Sequence, residues 1–318
     1  MKHQTIPVIN LTDFDNPTKR NEVIQQIGKG FHEVGFIAVE NHGVDQRLIE
    51  QAYKIMESFF SRPLDTKTQY EDDRAFEPRG FSQMGKEHVK GQNIPDLKEF
   101  WHTGRESFEV ASHQNKYPVN VWPKEEPKFR QVMLDLYDQL EDCACRILEA
   151  SAMYLGLEPF FMCDMITDGN SVLRLAHYPP IPEGTNPSAF RSAPHEDIDF
   201  ITLLCEANGE GLEILKKDGE WLPVHSYKGQ IIVNVGDMLQ NLSNGYYKST
   251  THRVTNNNLD RNRRLSMPFF VHPRPEIDLS PITSSIHDLG KVKYPQIKAG
   301  DYFNQRLTEI GFGSSRGK

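Results

Sequence analysis

Cysteine is scarce in this chain: four residues in 318, Cys143, Cys145, Cys163 and Cys205, with no CxxC pair among them. That argues against a thiolate zinc site and, with nothing marking secretion, makes four free buried thiols the expected state. Cys143 and Cys145 stand two apart within a helical pattern, so they point in different directions. Positive charge is the minority sign, 36 Lys and Arg against 44 Asp and Glu for a net charge of −8, and no long basic run occurs. Nonspecific nucleic-acid binding is therefore not expected. Long apolar runs are missing too. No stretch reaches the ~20 residues needed to cross a bilayer, and residues 1–7 lack the apolar core of a signal peptide. The expectation is a cytoplasmic protein that does not engage the membrane. No heptad run demands a partner, which leaves a monomer or weak homo-oligomer.

At 318 residues the chain can bury a substantial core as one large or two small domains, and it is too long for a simple binding module. The N-terminal third alternates helical and strand signals, whereas residues 170–275 are dense in short β-type runs broken by Gly, Asn and Pro. Helices supporting a β-rich catalytic core follow from that asymmetry. Val23, Ile27, Phe31 and Val34 predict an amphipathic helix ending at Gly35, before a strand beginning at Phe36. Leu48, Ala52, Met56, Phe59 and Phe60 predict a second, closed by Pro63. Met133, Leu136, Leu140, Cys143, Ile147 and Ser151 trace one stripe of a longer helix over 127–154. The stretch 70–127 carries aromatics without a sustained period, and Phe76, Phe81, Trp101 and His102 are its candidates for lining a substrate pocket. Phe200, Thr202 and Leu204 alternate with Ile201 and Leu203, and Ile231, Val233 and Val235 with Ile232 and Asn234, as strands do; Gly236-Asp237 reads as a turn. Tyr302, Phe303, Leu307 and Ile310 suggest an amphipathic helix over 301–312.

The chemistry concentrates in two short segments. In Pro194-His195-Glu196-Asp197, read as a strand, positions i and i+2 share a face, so His195 and Asp197 can aim an imidazole and a carboxylate at one point. His252 supplies a third donor. Two histidines and one carboxylate leave the opposite side of a metal open, which suits ferrous iron that must bind a co-substrate and dioxygen together. Arg264 and Ser266 share a face of another strand by the same rule. A guanidinium grips a carboxylate through two parallel hydrogen bonds, and a neighbouring hydroxyl adds a third.

These residues resemble the isopenicillin N synthase-like family of Fe(II)- and 2-oxoglutarate-dependent oxygenases, and the resemblance runs nearly end to end. Its pieces occur in family order: Ile6-Pro7-Val8-Ile9 with Phe14, the run from Gly35-Phe36-Ile37 to Asn41-His42-Gly43-Val44, Arg79-Gly80-Phe81, and Asp96-Leu97-Lys98-Glu99-Phe100. Leu173-Arg174-Leu175-Ala176-His177-Tyr178-Pro179-Pro180 follows, then His195-Glu196-Asp197, Gly211-Leu212-Glu213-Ile214, Asn234-Val235-Gly236-Asp237, His252-Arg253-Val254 and the Arg264/Ser266 segment. The resemblance implies a mainly β fold with peripheral helices, a double-stranded β-helix or jelly roll of two facing antiparallel sheets. It implies an N-terminal mixed α/β region, 1–125, packed on a unit of long helix, jelly-roll core and C-terminal helix, 126–318. His195, Asp197 and His252 would be the Fe(II) ligands. Arg264 and Ser266 would hold the far carboxylate of 2-oxoglutarate, and Tyr178 would point into the barrel and hydrogen-bond the co-substrate or the substrate. Many relatives carry Asn two residues before that tyrosine; Ala176 here removes one polar contact near the metal. The implied reaction couples decarboxylation of 2-oxoglutarate to succinate, with O2, to C–H oxidation of a small molecule: hydroxylation, desaturation or ring closure. Two alternatives stay open, an iron oxidase that uses no 2-oxoglutarate and turns the Arg/Ser pair on its own substrate, and a non-catalytic metal- or ligand-binding barrel.

Overall fold

Alternation along a few strands decides which side of the molecule becomes core and which becomes pocket. In the computed structural model, which describes residues 6–71, 78–86, 94–106, 117–181, 183–186, 189–206, 209–256, 262–282 and 291–309, twelve strands form two sheets. The strands are β1 (Val8–Asn10), β2 (Phe36–Glu40), β3 (Gly80–Ser82), β4 (Glu99–Gly104), β5 (Val172–Tyr178) and β6 (Ser192–His195). They continue with β7 (Ile201–Cys205), β8 (Leu212–Leu215), β9 (Trp221–Pro223), β10 (Gln230–Val235), β11 (His252–Val254) and β12 (Arg264–Val271). The large sheet runs β1-β2-β10-β7-β12-β5-β4-β3 and the small one β6-β11-β8-β9. Every pairing is antiparallel except β1 with β2.

On one face of the large sheet, Leu173 and Leu175 of β5, Ile201 and Leu203 of β7, Ile231 and Val233 of β10 and Leu265 and Met267 of β12 enter the main core. Helices cover that face: α1 (Arg20–Glu33), α2 (Gln46–Phe60), the one-turn α3 (Leu64–Lys67), the 26-residue α4 (Phe129–Tyr154) and α5 (Phe161–Ile166). The opposite face turns Thr202, Leu204, Ile232, Asn234, Arg264 and Ser266 toward the small sheet. A second apolar cluster, Phe36, Ala38 and Ile232 against Leu212, Ile214 and Val224, glues the two sheets together. This is the expected jelly roll. Strands from the N-terminal region close it, β1 and β2 at one end of the large sheet and β3 and β4 at the other.

The helical stripes follow the sequence with small shifts. Val23, Ile27 and Phe31 of α1 are buried, and Gly35, at φ +77°, ends the helix as its amide bonds the carbonyl of Gly30 at 2.9 Å. In α2 Ile49 is fully buried while Leu48 packs partly buried against the core, and the Asp45 side chain caps the helix through the Arg47 amide. All six stripe residues of α4 are buried.

Several expectations need correction. Phe81 and Trp101 do not line the cavity that holds the triad: they are fully buried around Phe59, with ring centroids 6.1 and 5.0 Å away. Phe76 lies outside the described residues. Gly236-Asp237 is no free turn but the start of α6 (Asp237–Leu242), where Gly236 is the N-cap. The cysteines are not all free, because Cys145 of α4 is bonded to Cys163 of α5; Cys143 and Cys205 remain thiols. Spacing within one helix says nothing of a neighbour on the next. The C-terminal helix α7 spans Ala299–Glu309, with Leu307 buried and Tyr302 and Phe303 packed on the core; Ile310 and Phe312 lie outside the described residues. Among the described residues no helix is long and apolar enough to cross a membrane.

Candidate metal centre

His195 and His252 face each other directly across the β6–β11 pair. Opposed side chains on antiparallel strands are nearest neighbours, and the two imidazole centroids lie 4.4 Å apart. Asp197 joins them by a different route from the predicted one. Strand β6 ends at His195, so no period-two alternation carries Asp197 inward; it sits in the segment that bends away after the strand. The N-terminus of α6 catches that bend. The amides of Gly236, Asp237 and Met238 donate to the carbonyls of Phe200, Asp197 and Asp199 at 2.9, 2.8 and 3.1 Å. A Cβ at Gly236 would run into the side chain and carbonyl of Asp199, so only glycine allows this approach.

The resulting cluster brings one ligand atom from each of His195, Asp197 and His252 within 4.8 Å of the others. Nε2 of His195 lies 3.7 Å from Asp197 Oδ1, and Nε2 of His252 lies 3.7 Å from Oδ2. Each ring fixes its tautomer through the other nitrogen: Nδ1 of His195 donates to the carbonyl of Ala193 at 2.7 Å, and Nδ1 of His252 to that of Thr250 at 3.1 Å. In the neutral rings that a metal requires, each Nε2 lone pair then turns toward Asp197. Burial, and then the neighbouring His252, lowers the pKa of His195, which favours the neutral ring.

Burial alone would raise the pKa of Asp197, but His252, His195 and the donors Thr202 and Asn234 overcome it and hold the carboxyl below its ordinary value. Thr202 Oγ1 and Asn234 Nδ2 reach the same oxygen, Oδ2, at 2.6 and 2.8 Å. They can do so because Thr202 and Asn234 are paired neighbours on β7 and β10. Neither was a candidate from sequence, although each is a polar interruption on the inward face of an apolar strand. Asp199 lies 2.9 Å from the same Thr202 hydroxyl, and burial together with the charge of Asp197 pushes its pKa well above the usual carboxylate range. A neutral Asp199 can donate to Thr202, leaving the single hydroxyl proton of Thr202 for Asp197.

Arg264 and Ser266 line the same cavity as the triad, opposite Tyr178 and Ala176 on β5. The Arg264 guanidinium is buried over the Tyr178 ring, 5.0 Å from its centroid, and its Nε and Nη1 have no hydrogen-bond partner among the described residues. Buried donors without an acceptor are costly, and an incoming carboxylate would supply one. Ala176, opposite Ser266, adds no polar group there. Of the remaining pocket candidates, His102 accepts from Arg174 Nε at 2.7 Å instead of facing the cavity. Lys98, Phe36 and Phe270 are lining residues that sequence reasoning did not single out.

The donor set fits iron bound with a dicarboxylate: two imidazoles and one carboxylate without thiolate, and an unmatched guanidinium in the same cavity. Comparison with known proteins agrees. Residues 6–125 match the family described as non-haem dioxygenase in morphine synthesis N-terminal, and residues 169–273 the 2OG-Fe(II) oxygenase superfamily. The chain is 30% identical over 313 residues to 2-oxoglutarate-dependent dioxygenase 11 of Oryza sativa subsp. japonica, covering 98% of this chain and 83% of that one. A 2OG-Fe(II) oxygenase family protein from Caulobacter crescentus superposes with a TM-score of 0.86 at 37% identity, covering 97% of this chain and all of the other. A full-length Neurospora crassa protein solved in complex with alpha-KG gives 0.85 at 28% identity, over 95% of this chain and 96% of the other. Neither the 2-oxoglutarate-independent oxidase nor the non-catalytic barrel gains support from these relatives. With a relative at 30% identity matched over 98% of this chain, and a fold and donor set of the same kind, the chain belongs to the isopenicillin N synthase-like family of Fe(II)- and 2-oxoglutarate-dependent oxygenases.

Proposed function

We propose that His195, Asp197 and His252 hold the Fe(II), that Arg264 and Ser266 bind the carboxylate of 2-oxoglutarate remote from its keto group, and that Tyr178 packs beside that carboxylate. The observation that carries this reading is the buried guanidinium of Arg264, unmatched at two nitrogens, in the same cavity as the triad. Bound iron supplies the capacity to use dioxygen in decarboxylating 2-oxoglutarate and oxidising a substrate C–H bond. The protein's share is position and exclusion. The Ala193 and Thr250 carbonyls fix the tautomer and orientation of both imidazoles, Thr202 and Asn234 help to hold Asp197 ionised, and Phe36, Leu204, Ile232 and Phe270 supply apolar wall.

The substrate is proposed to be a small molecule held between the sheets; among the structural relatives, the Neurospora crassa protein has been captured with thymine and JOX2 with JA. Residues 1–125 and 126–318 are proposed to act as one structural unit, supported by the sharing of one sheet between them. The cytoplasm is the proposed compartment, which fractionation would check.

The test is an anaerobic titration of metal-free protein with Fe(II) and then 2-oxoglutarate, following the visible iron-to-keto-acid charge-transfer band. The band should form in the parent. In Arg264→Ala it should need about ten- to a hundredfold more 2-oxoglutarate, the loss expected for a charge-assisted carboxylate pair. Iron binding without a band would overturn the co-substrate assignment, and no iron binding would overturn the triad.

A further inference from the structure

The two histidines of the triad are not held alike. His252 lies on β11, an interior strand of the small sheet with β6 on one side and β8 on the other. His195 lies on β6, the edge strand, where backbone hydrogen bonds come from β11 on one side only. An edge strand that carries a ligand would let that ligand drift unless something takes the place of the missing neighbour.

A short segment from the N-terminal region takes it. The Leu97 amide donates to the carbonyl of Phe190 at 2.9 Å, and Asp96 Oδ1 accepts from the Ala193 amide at 3.0 Å. Ala193 is the residue whose carbonyl receives Nδ1 of His195. The other Asp96 oxygen, Oδ2, is 2.7 Å from Nζ of Lys98, which also reaches Ser192 Oγ at 3.4 Å. Asp96 is 3% exposed and Lys98 6%, so a complete ion pair is buried against the outer edge of β6. A carboxylate buried so deeply needs its counterion, and once paired it is a stiffer acceptor for an amide than a neutral side chain would be.

We propose that Asp96, held by Lys98, is a positioning residue for the metal centre: it clamps Ala193 and thereby aims Nε2 of His195. This rests on the triad being the metal site. The Asp-x-Lys pair belongs to a segment, Asp96-Leu97-Lys98-Glu99-Phe100, to which the activity itself assigns no role.

The experiment measures Co(II) affinity, Co(II) dissociation rate and the visible Co(II) spectrum of the purified full chain, with melting temperature recorded alongside. Asp96→Ala should weaken Co(II) binding about tenfold, as loss of a group that orients a ligand typically does, speed its release and change the spectrum. Asp96→Asn combined with Lys98→Met keeps an acceptor for the Ala193 amide and removes both charges, and should recover affinity to within about threefold. It also provides the reading if Asp96→Ala does not fold, in which case affinity lost in the double variant overturns the clamp. A fall in melting temperature with Co(II) affinity and spectrum unchanged would likewise overturn it. His195→Ala separates the two levels: if that variant binds Co(II) like the parent, the triad fails, and if it loses Co(II) while Asp96→Ala does not, only the clamp fails.

Discussion

Two buried cations lie on opposite faces of the large sheet, and they are treated in opposite ways. On the helix-covered face, Lys67 donates to both oxygens of Glu99, at 2.6 and 2.8 Å, and Glu99 Oε1 also takes Nδ1 of His177 at 2.7 Å. The His177 ring stacks on Phe60, closing the network inside the protein. On the pocket face, Arg264 is as deeply buried yet keeps two nitrogens unmatched among the described residues. The first arrangement neutralises its charge within the fold. The second leaves a charge that only an incoming anion can match, and that difference separates a structural ion pair from a ligand site more sharply than burial does.

The contrast can be broken by three substitutions, beginning with the most damaging. Asp197→Ala should abolish Fe(II) binding and turnover while leaving the melting temperature close to that of the parent, because its partners Thr202 and Asn234 belong to the pocket; metal analysis and succinate release check this. Full turnover in that variant would rule out the triad. Lys67→Met should do the reverse. It leaves Glu99 buried without its counterion and should cost about 3–5 kcal/mol in chemical denaturation, with the 2-oxoglutarate requirement of the folded protein unchanged. A changed requirement would mean that the two faces are coupled and the comparison fails.

The smallest expected effect is a pH dependence. Burial lowers the pKa of His177 from 6.5 despite the pull of Glu99, so the folded protein holds it neutral where the unfolded chain would take up a proton. Its contribution to stability is present above about pH 6.5 and is lost as pH falls toward the lower folded value. For Glu99, burial opposes ionisation but His177 and Lys67 outweigh it, so its pKa is lowered from 4.5 and its contribution is lost in a second, more acidic window. His177→Gln should therefore shrink the stability lost between pH 7.5 and pH 5.5, read by chemical denaturation at the two pH values. An unchanged difference would show that His177 does not titrate with folding.

What the sequence reveals follows from the range of the interactions involved. α4 is legible because its apolar stripe, Met133 to Ser151, repeats over about five turns, and Arg264 with Ser266 because two residues on one strand share a face by local geometry alone. The direction of Asp197 is not legible, since it depends on where β6 stops and on three amides at the start of α6, some forty residues later. Thr202 and Asn234 become partners of Asp197 only through the register of β7 against β10. Phe81 and Trp101 lie in a stretch with no period, so nothing local distinguishes a pocket aromatic from a core one. The Cys145–Cys163 link required knowing that α5 folds back on α4.

The pairing of β2 with β10 joins Glu40 to Gln230. For a chain made from its N-terminus, that register is a matter of waiting. The apolar strand Phe36–Glu40 is synthesised early, but its partner emerges only after another 190 residues, and Arg264 after that. Until β10 is made, β2 lacks that antiparallel neighbour, and the pocket waits for Arg264 and Ser266 of β12. A ribosome-bound fragment stopped short of residue 250 would carry two of the three proposed metal-binding side chains, His195 and Asp197, and lack His252. On the proposed triad, the full set of iron ligands exists only once His252 has been made.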